Sequence, residues 1–233
     1  MAVTVVTAVA HRGAPYAARE NTLPAFRAAI AAGADAVELD VRLTRDGLPV
    51  VLHDRTLERL WAHEASVSAL SASRLRELTD GEVPSLAEAL AVTSGVRTLV
   101  DLPERAAVHA VLRDVRAAGA ADRVYYCGGP PALRDVRAAA PEAEIALSWH
   151  RAAPPRPSLL ADLRPRWLNY RFGLLTPELV RDAHSRGYLV SAWTPDTGRT
   201  MRRLLAMGAD SLTTNRIGTL RRLLDRQPRK RRD

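Results

Sequence analysis

The chain has 233 residues, of which 47% are hydrophobic, so it can bury a large core and form one domain. Its one cysteine, Cys127, excludes an internal disulfide, and MAVTVVTAVAH lacks the basic start of a signal peptide, so we expect a reduced, cytoplasmic protein without stable membrane insertion. The net charge of +8 favours anionic ligands such as phosphates, but the scattered aromatic residues do not form a nucleic-acid-binding surface.

Segments with strand character and segments with helix character alternate along the chain. The predicted strands cover residues 3–10, 36–43, 98–102, 123–127, 144–148, 167–170, 188–193 and 210–213, and the predicted helices cover residues 24–32, 85–93, 104–118, 131–140, 177–186, 197–207 and 217–226. Eight strands with helices between them predict a TIM (β/α)₈ barrel. A doubly wound open sheet is the alternative, and the lack of a Gly-rich phosphate loop after the first strand disfavours it.

Three segments modify this simple alternation. Asp46-Gly47 is a turn signal that returns GLPVVLHD beside the second strand and brings His53 near the barrel mouth. Residues 57–83 interrupt the alternation of strands and helices, and we expect them to form a short insertion over that mouth. The barrel domain then takes in residues 1–225. The basic end RQPRKRRD, residues 226–233, is expected to be a solvated tail, with attachment to an anionic membrane surface as the alternative.

Two carboxylates lie in AVELDV, the apolar run of the second strand. Strand side chains alternate between faces, so Glu38 and Asp40 share one face, where burial costs several kcal/mol each unless a positive charge compensates them. Asp101, at the end of the third strand, would complete an all-oxygen set suited to Ca²⁺ or Mg²⁺. A network of arginine salt bridges is the alternative, which we disfavour because we assign no arginine to that face of the strand.

Polar residues collect where the predicted strands end, which is the catalytic rim of a (β/α)₈ barrel. His11 and His53 fit acid and base roles, in which one removes a proton from the attacking oxygen and the other protonates the departing alkoxide. Arg12 fits a phosphate contact. A divalent ion, two histidines and an arginine at one mouth predict phosphodiester cleavage.

The remaining rim residues have weaker signals. Glu20 and Asn215 are candidates for substrate binding, and Trp193 is either a wall for the substrate or a packing residue. Asn21 is expected to cap the first helix. Cys127 is expected to be a small buried side chain and not a nucleophile, because no histidine neighbours it in sequence.

Long spaced motifs resemble those of the glycerophosphodiester phosphodiesterase family. AHRGAPYAARENTLPAF is similar to its opening block, AGADAVELDVRLTRDGLPVVLHDRTLER to its core, and VSAWTPD with GADSLTTNR to its closing blocks. The resemblance implies a TIM-type barrel whose substrates are small molecules, the glycerophosphodiesters. It would hydrolyse them to sn-glycerol 3-phosphate and an alcohol. It also implies that His11 and His53 are the acid and base and that Glu38 and Asp40 are metal ligands.

The third strand departs from the family pattern. The family's third strand usually has Glu-x-Lys, whereas LVDLPE supplies Asp101 and Pro103, and a proline cannot bind phosphate. We expect Arg151 or Arg171 to supply the missing positive charge. Two further hypotheses stay open: a lipid-active relative of the phospholipase D or sphingomyelinase D kind, and a catalytically silent barrel that binds a phosphorylated ligand.

Overall fold

Strands and helices alternate along the chain in a computed structural model, which describes residues 6–151 and 153–226. The strands are β1 (Thr7–His11), β2 (Ala36–Leu43), β3 (Pro49–Val51), β4 (Thr56–Leu57), β5 (His63–Ser66), β6 (Arg97–Leu102), β7 (Val124–Gly128), β8 (Glu144–Trp149), β9 (Trp167–Arg171), β10 (Leu189–Trp193) and β11 (Ser211–Thr214). The helices are α1 (Leu23–Ala31), α2 (Glu58–Trp61), α3 (Ala72–Leu78), α4 (Leu86–Val92), α5 (Val108–Ala117), α6 (Pro130–Ala139), α7 (Pro157–Leu163), α8 (Pro177–Ser185), α9 (Gly198–Met207) and α10 (Ile217–Asp225).

Eight parallel strands close into a barrel, which confirms the predicted fold class. The first strand closes the ring because it pairs with both neighbours: Val9 is in register with Thr213 of β11 and with Ala36 of β2. The sheet has one further strand outside the ring. This strand, β3, runs antiparallel to β2, with Val51 opposite Val41. This pairing confirms the return of the chain after Asp46-Gly47, and it carries the chain towards His53.

The predicted elements match the observed ones to within a few residues, except in two places. Helix α7 was not predicted, because RPSLLADL is short and lies among prolines. The other exception is the insertion, whose strands β4 and β5 and helices α2 and α3 surround a small apolar cluster of their own. Residues 3–5 of the first predicted strand and residues 227–233 of the predicted tail lie outside the described part of the chain.

The insertion meets the rim of the mouth, and the expectation that it covers the mouth stays a prediction. Its Arg59 reaches the rim and pairs with Glu20 and Asp54. The structure describes all of residues 57–83, and none of them lines the cavity at the mouth. The reason is that the insertion packs its own apolar side chains, including Val67 and Leu75, against residues of the returning arm such as Leu52.

Side chains inside the barrel form two layers. The lower layer is an apolar group that we call the floor cluster: Val9, Ala36, Leu99, Tyr125, Cys127, Ala146 and Trp167. Two residues further along the same strands, the side chains facing the same interior become polar, as in Glu38 after Ala36 and Asp101 after Leu99. A larger apolar core fills the space between the barrel and its helices. In residues 6–151 and 153–226, no helix is long and apolar enough to cross a membrane.

Candidate functional site

A cavity of ≈ 270 Å³ opens at the carboxyl ends of the barrel strands. It brings together seven of the residues singled out in the sequence: His11, Arg12, Glu38, Asp40, His53, Asp101 and Trp193. They come from five different segments of the chain, and the parallel barrel places the ends of those segments at one rim. The structure therefore brings these seven residues together at one mouth, while their roles stay predictions.

The two carboxylates of β2 are almost completely buried. Glu38 is 5% exposed and Asp40 is 3% exposed. Burial raises the pKa of Glu38 well above its usual value, and the charges of Asp40 and Asp101 raise it further. Glu38 therefore favours either a proton or an added cation.

Arg12 is held in the turn that follows β1. Its backbone has a φ of 55°, and its amide N–H donates to Glu38 Oε2 at 2.9 Å. Its guanidinium donates to Glu20 Oε1 at 2.9 Å, while Nε lies 3.2 Å from Asp40 Oδ2 without hydrogen-bond geometry. Gly13 completes the turn, since an added Cβ would lie 2.7 Å from the carbonyl carbon of Ala25.

A relay of polar groups fixes the orientation of His11. Asp196 accepts from the backbone N–H of Asn215 at 2.9 Å and from its Nδ2 at 2.7 Å, so the amide oxygen of Asn215 faces His11 Nδ1 at 2.8 Å. Nδ1 must then carry the proton, which leaves Nε2 unprotonated in the neutral ring, 4.0 Å from Glu38 Oε2. Burial and the charge of Arg12 lower the pKa of His11, whereas the Asn215 contact opposes them.

His53 lies on the returning arm and is held by its neighbour. Its Nδ1 is 2.7 Å from Asp54 Oδ1, and Arg59 donates to the other oxygen of that carboxylate. Burial tends to raise the pKa of Asp54, but the hydrogen bonds from Arg59 and His53 outweigh it, so the pKa falls. An ionised carboxylate can only accept, so the Nδ1 of His53 donates this bond to Asp54. The ring of His53 is thereby held in place, and it lines the cavity.

Asp101 is bonded to Cys127 at the top of the floor cluster. The Cys127 Sγ donates to Asp101 Oδ1 at 3.2 Å. Burial and the charge of Asp40 raise the pKa of Asp101 to about 6. Burial and the nearby carboxylates also raise the pKa of Cys127. A protonated thiol is not a nucleophile, in agreement with the expected structural role of this cysteine.

Four other candidates from the sequence lie outside the cavity lining. Glu20 bonds Arg12 and Arg59, and Asn215 bonds His11, so both act on residues of the lining. Arg151 is exposed and stacks over Trp149, and Arg171 is exposed at the end of β9. Among the lining residues the only arginine is Arg12, and that Arg151 or Arg171 supplies the charge of the missing lysine stays a prediction.

Two expectations about polar residues were wrong. Asn21 does not cap α1: Thr22 does, and Asn21, which has a positive φ of 58°, donates from Nδ2 to Asp40 Oδ2 at 2.8 Å. An arginine does lie on the carboxylate face of β2, since Arg42 follows Asp40 by two residues. Arg42 is buried and donates from Nε to the carbonyl oxygen of His53 at 2.8 Å.

Sequence reasoning missed several residues of the site. Asp196 lies in the VSAWTPD block and could have been found there. Ser148 lines the cavity at the end of β8, and its even spacing from the apolar floor residue Ala146 was an available signal. His150 also lines the cavity and meets Trp193 edge to face, with ring centres 5.4 Å apart. It follows β8 in an irregular loop, so no periodicity pointed to it.

The donor set fits a hard divalent cation in kind, because it consists of carboxylates, and burial raises the pKa of two of them, Glu38 and Asp101. Their present positions do not form a finished metal site. Within the described residues, no three His, Cys, Asp or Glu side chains are grouped closely enough to hold a metal ion. The guanidinium of Arg12 lies beside Asp40 instead, so ion binding requires these side chains to rearrange.

Comparisons with known proteins agree on one family. The model of the glycerophosphoryl diester phosphodiesterase family matches residues 11–219. A glycerophosphodiester phosphodiesterase of Caldanaerobacter subterraneus subsp. tengcongensis is 28% identical, over 91% of this chain and 95% of that protein. The match extends over nearly the whole length of both proteins.

Solved structures show the same architecture. A glycerophosphodiester phosphodiesterase from Thermotoga maritima gives a TM-score of 0.80 at 27% identity, covering 93% of this chain and 98% of that one. A phosphodiesterase from Oleispira antarctica, solved in complex with its product sn-glycerol-3-phosphate, gives a TM-score of 0.86 at 25% identity, covering 95% and 97%.

Proposed function

Because the chain belongs to the glycerophosphoryl diester phosphodiesterase family and is an enzyme of that class, we propose that it hydrolyses glycerophosphodiesters to sn-glycerol 3-phosphate and an alcohol, using a divalent metal ion and two histidines. One observation carries this proposal: buried carboxylates, Arg12 and two imidazoles border a single cavity of ≈ 270 Å³. A cavity of this size suits a small polar substrate.

Glu38, Asp40 and Asp101 are the residues that would hold the metal ion, Ca²⁺ or Mg²⁺. Burial and like charge raise the pKa of Glu38 and Asp101, so a cation placed between these carboxylates would be favourable. When bound, such an ion neutralises phosphoryl charge and orients the phosphoryl oxygens. Arg12 would then leave Asp40 and donate to the substrate phosphate, while Glu20 keeps the guanidinium at the rim.

We assign the base role to His11 and the acid role to His53. His11 is suited to accept a proton from the attacking oxygen, because its lowered pKa favours the neutral ring and the Asn215 contact leaves Nε2 unprotonated. His53 is suited to meet the departing alkoxide, because it borders the same cavity and Asp54 holds its ring in place. Trp193 would then form a wall of the substrate site.

The direct test is product analysis. The purified chain is stripped of metal with EDTA, supplied with Ca²⁺ or Mg²⁺, and incubated with glycerophosphocholine. We expect sn-glycerol 3-phosphate to appear only after the ion is added, detected by a glycerol 3-phosphate dehydrogenase assay. Failure to release it with any divalent ion would refute the proposal.

The contact between Arg12 and Asp40 favours a second candidate, a barrel that binds a phosphorylated ligand without turnover. In that case the arginine would compensate the carboxylates permanently. Calorimetry would then detect binding of sn-glycerol 3-phosphate in EDTA, with no gain in affinity when calcium is added. The hydrolase proposal expects the ion to strengthen that binding.

A further inference from the structure

Helices α9 and α10, with the residues that cap them, carry seven arginines and only one acidic residue, Asp225. We propose that the exposed arginines of this surface dock the protein on an anionic phospholipid membrane. The surface, which we call the arginine face, consists of Arg199, Arg202, Arg203, Arg216 and Arg222. The inference goes beyond the proposed function, because none of these residues lines the cavity and docking does not depend on turnover.

The arginines of α9 lie on one side of that helix. Arg199, Arg202 and Arg203 have the i, i+3, i+4 spacing of a single helix face, and all three are exposed. Met201 and Leu204 lie on the other side and are completely buried in the core around the barrel. The apolar side therefore fixes the helix on the barrel and turns the three guanidinium groups towards solvent.

Helix α10 extends this surface. Arg216, Thr219 and Arg222 are three residues apart, on one side of the helix. The two helices pack together near Thr219: a Cβ added at Gly198 would lie 3.8 Å from Thr219 Cγ2 and 3.6 Å from Arg202 Nη1. Arg222 donates from Nη2 to Thr219 Oγ1 at 3.3 Å. One guanidinium group from each helix therefore lies near the same threonine.

The arginine face lacks the carboxylate partners that arginines on other helices have. Arg181 of α8 pairs with Glu178, and Arg134 of α6 pairs with Asp162 of α7. Asp225 pairs with Arg221, which is not part of the arginine face. Within residues 6–151 and 153–226, no arginine of this face forms an ion pair. Its charge is therefore left to attract an anionic surface.

The arginine face reaches the rim of the mouth. Both helices begin a few residues after a barrel strand, so their first turns lie at the mouth end. Arg216 caps α10 there, and its guanidinium carbon lies 4.4 Å from the ring centre of Tyr16. Tyr16 is 68% exposed. An exposed tyrosine beside cations suits the head-group layer of a membrane, where amphipathic aromatic rings collect.

A lipid surface fits the arginine face better than a nucleic acid or a protein does. Neither α9 nor α10 contains an aromatic residue, so the helices offer no stacking platform for bases. For the same reason they offer no aromatic anchor to a protein partner. Attraction between guanidinium groups and anionic head groups needs neither feature.

Vesicle co-sedimentation tests the proposal. The full chain in EDTA is mixed with vesicles of phosphatidylcholine alone or with about one third phosphatidylglycerol, and we expect binding only to the anionic vesicles. Salt at about 0.5 M should release the protein, because it screens exposed charges. An excess of sn-glycerol 3-phosphate, which would fill the cavity, should leave vesicle binding unchanged. Equal binding to both kinds of vesicle, or displacement by sn-glycerol 3-phosphate, would overturn the proposal.

Two triple variants with the same change in charge form a matched pair. The first combines Arg199→Gln, Arg202→Gln and Arg203→Gln. The control combines Arg113→Gln, Arg116→Gln and Arg134→Gln on α5 and α6, which follow the strands opposite those that precede α9 and α10. One arginine near an anionic surface strengthens binding roughly fivefold, so the first variant should bind anionic vesicles on the order of 100-fold more weakly. The control should stay within about threefold of the wild type.

Both variants keep the basic tail, so they separate the arginine face from it. If the first variant does not fold, Arg216→Gln combined with Arg222→Gln should weaken vesicle binding by at least about tenfold. Unchanged binding in a folded variant of the arginine face would assign the contact to the tail or to another surface and overturn the proposal. Tighter binding to poly(U) RNA than to anionic vesicles would overturn it in favour of a nucleic acid.

Discussion

The floor cluster and the carboxylate mouth are built from the same strands, two residues apart, and yet they have opposite chemistry. On β6, Leu99 belongs to the floor and Asp101 to the mouth. On β2, Ala36 and Glu38 form a second such pair. The pleat directs both members of each pair into the barrel, so the difference comes only from the side chains.

This comparison shows where the barrel gains stability and where it loses it. The floor excludes water and stabilises the closed ring through apolar burial. The mouth carries carboxylates whose pKa values burial raises, and each such shift destabilises the folded state at neutral pH. Active sites commonly sacrifice stability in this way.

The largest effect should come from introducing a carboxylate, which is typical of the mouth, into the floor cluster. Leu99→Asp places a carboxylate among apolar side chains without a cation, and we expect it to lower the free energy of unfolding by at least about 3 kcal/mol. Urea unfolding followed by circular dichroism measures the change. Leu48→Asp is the control, because Leu48 is 36% exposed and should change stability by less than about 0.5 kcal/mol. Equal midpoints for Leu99→Asp and the wild type would contradict the account of the floor.

The second effect concerns the chemistry of the mouth. His11→Asn removes the proposed base and should lower kcat for glycerophosphocholine by roughly 10²–10⁴-fold, with little change in the thermal midpoint. Steady-state kinetics with saturating divalent ion measures it. His63→Asn, at an exposed position of the insertion, should retain full activity. Comparable losses in the two variants would remove His11 from its assigned role.

The third effect is a gain in stability that depends on pH. Asp101 has an ordinary pKa of 3.8 and a folded-state pKa of about 6. Its ionisation therefore lowers the free energy of unfolding: this effect is absent below pH 3.8, grows as the pH rises, and is complete above pH 6. Two pKa units correspond to about 3 kcal/mol. In EDTA at pH 7.5, Asp101→Asn should therefore unfold at a higher temperature than the wild type. Divalent ion should stabilise the wild type and have less effect on the variant.

The decisive comparison for Asp101 is between two pH values. The difference between Asp101→Asn and the wild type should be largest above pH 6 and shrink towards pH 4. Differential scanning calorimetry in EDTA measures both. A constant difference over this range would mean that the carboxylate's ionisation does not cause the destabilisation.

The smallest effect tests how the returning arm is held. Arg42 donates from Nε and Nη2 to the carbonyl oxygen of His53, and a lysine can replace only part of this fork. Arg42→Lys should lower kcat up to about tenfold with an unchanged KM, as expected for the loss of one hydrogen bond of about 1 kcal/mol. Arg45→Lys, on the exposed turn before β3, should have no effect. A rise in KM without a fall in kcat would assign Arg42 to substrate binding instead.

Local sequence patterns carried most of the fold prediction. The alternation of strands and helices depends on periodicity and on turn residues, which are properties of short segments. The return of β3 after Asp46-Gly47 followed from such a turn signal. Helix α7 was not predicted, because its seven residues lie between prolines and do not show a full helical repeat.

The site could be predicted where a residue lies on a strand or directly after one. Glu38, Asp40 and Asp101 follow from the pleat, and His11 follows from the end of β1. The partners of these residues could not be predicted in the same way. The bond from Asn21 to Asp40 and the fork from Arg42 to His53 depend on backbone turns and on strands that meet only in the folded protein.

The sequence by itself determined which residues form strands, which faces are apolar and which strand ends carry polar groups, because these follow from local periodicity and steric limits on the backbone. Tertiary structure decided where the insertion lies, that Arg12 meets Asp40, and that Arg216 meets Tyr16. Those features arise from contacts between distant segments, and closure of the barrel brings such segments together only when the whole ring has formed.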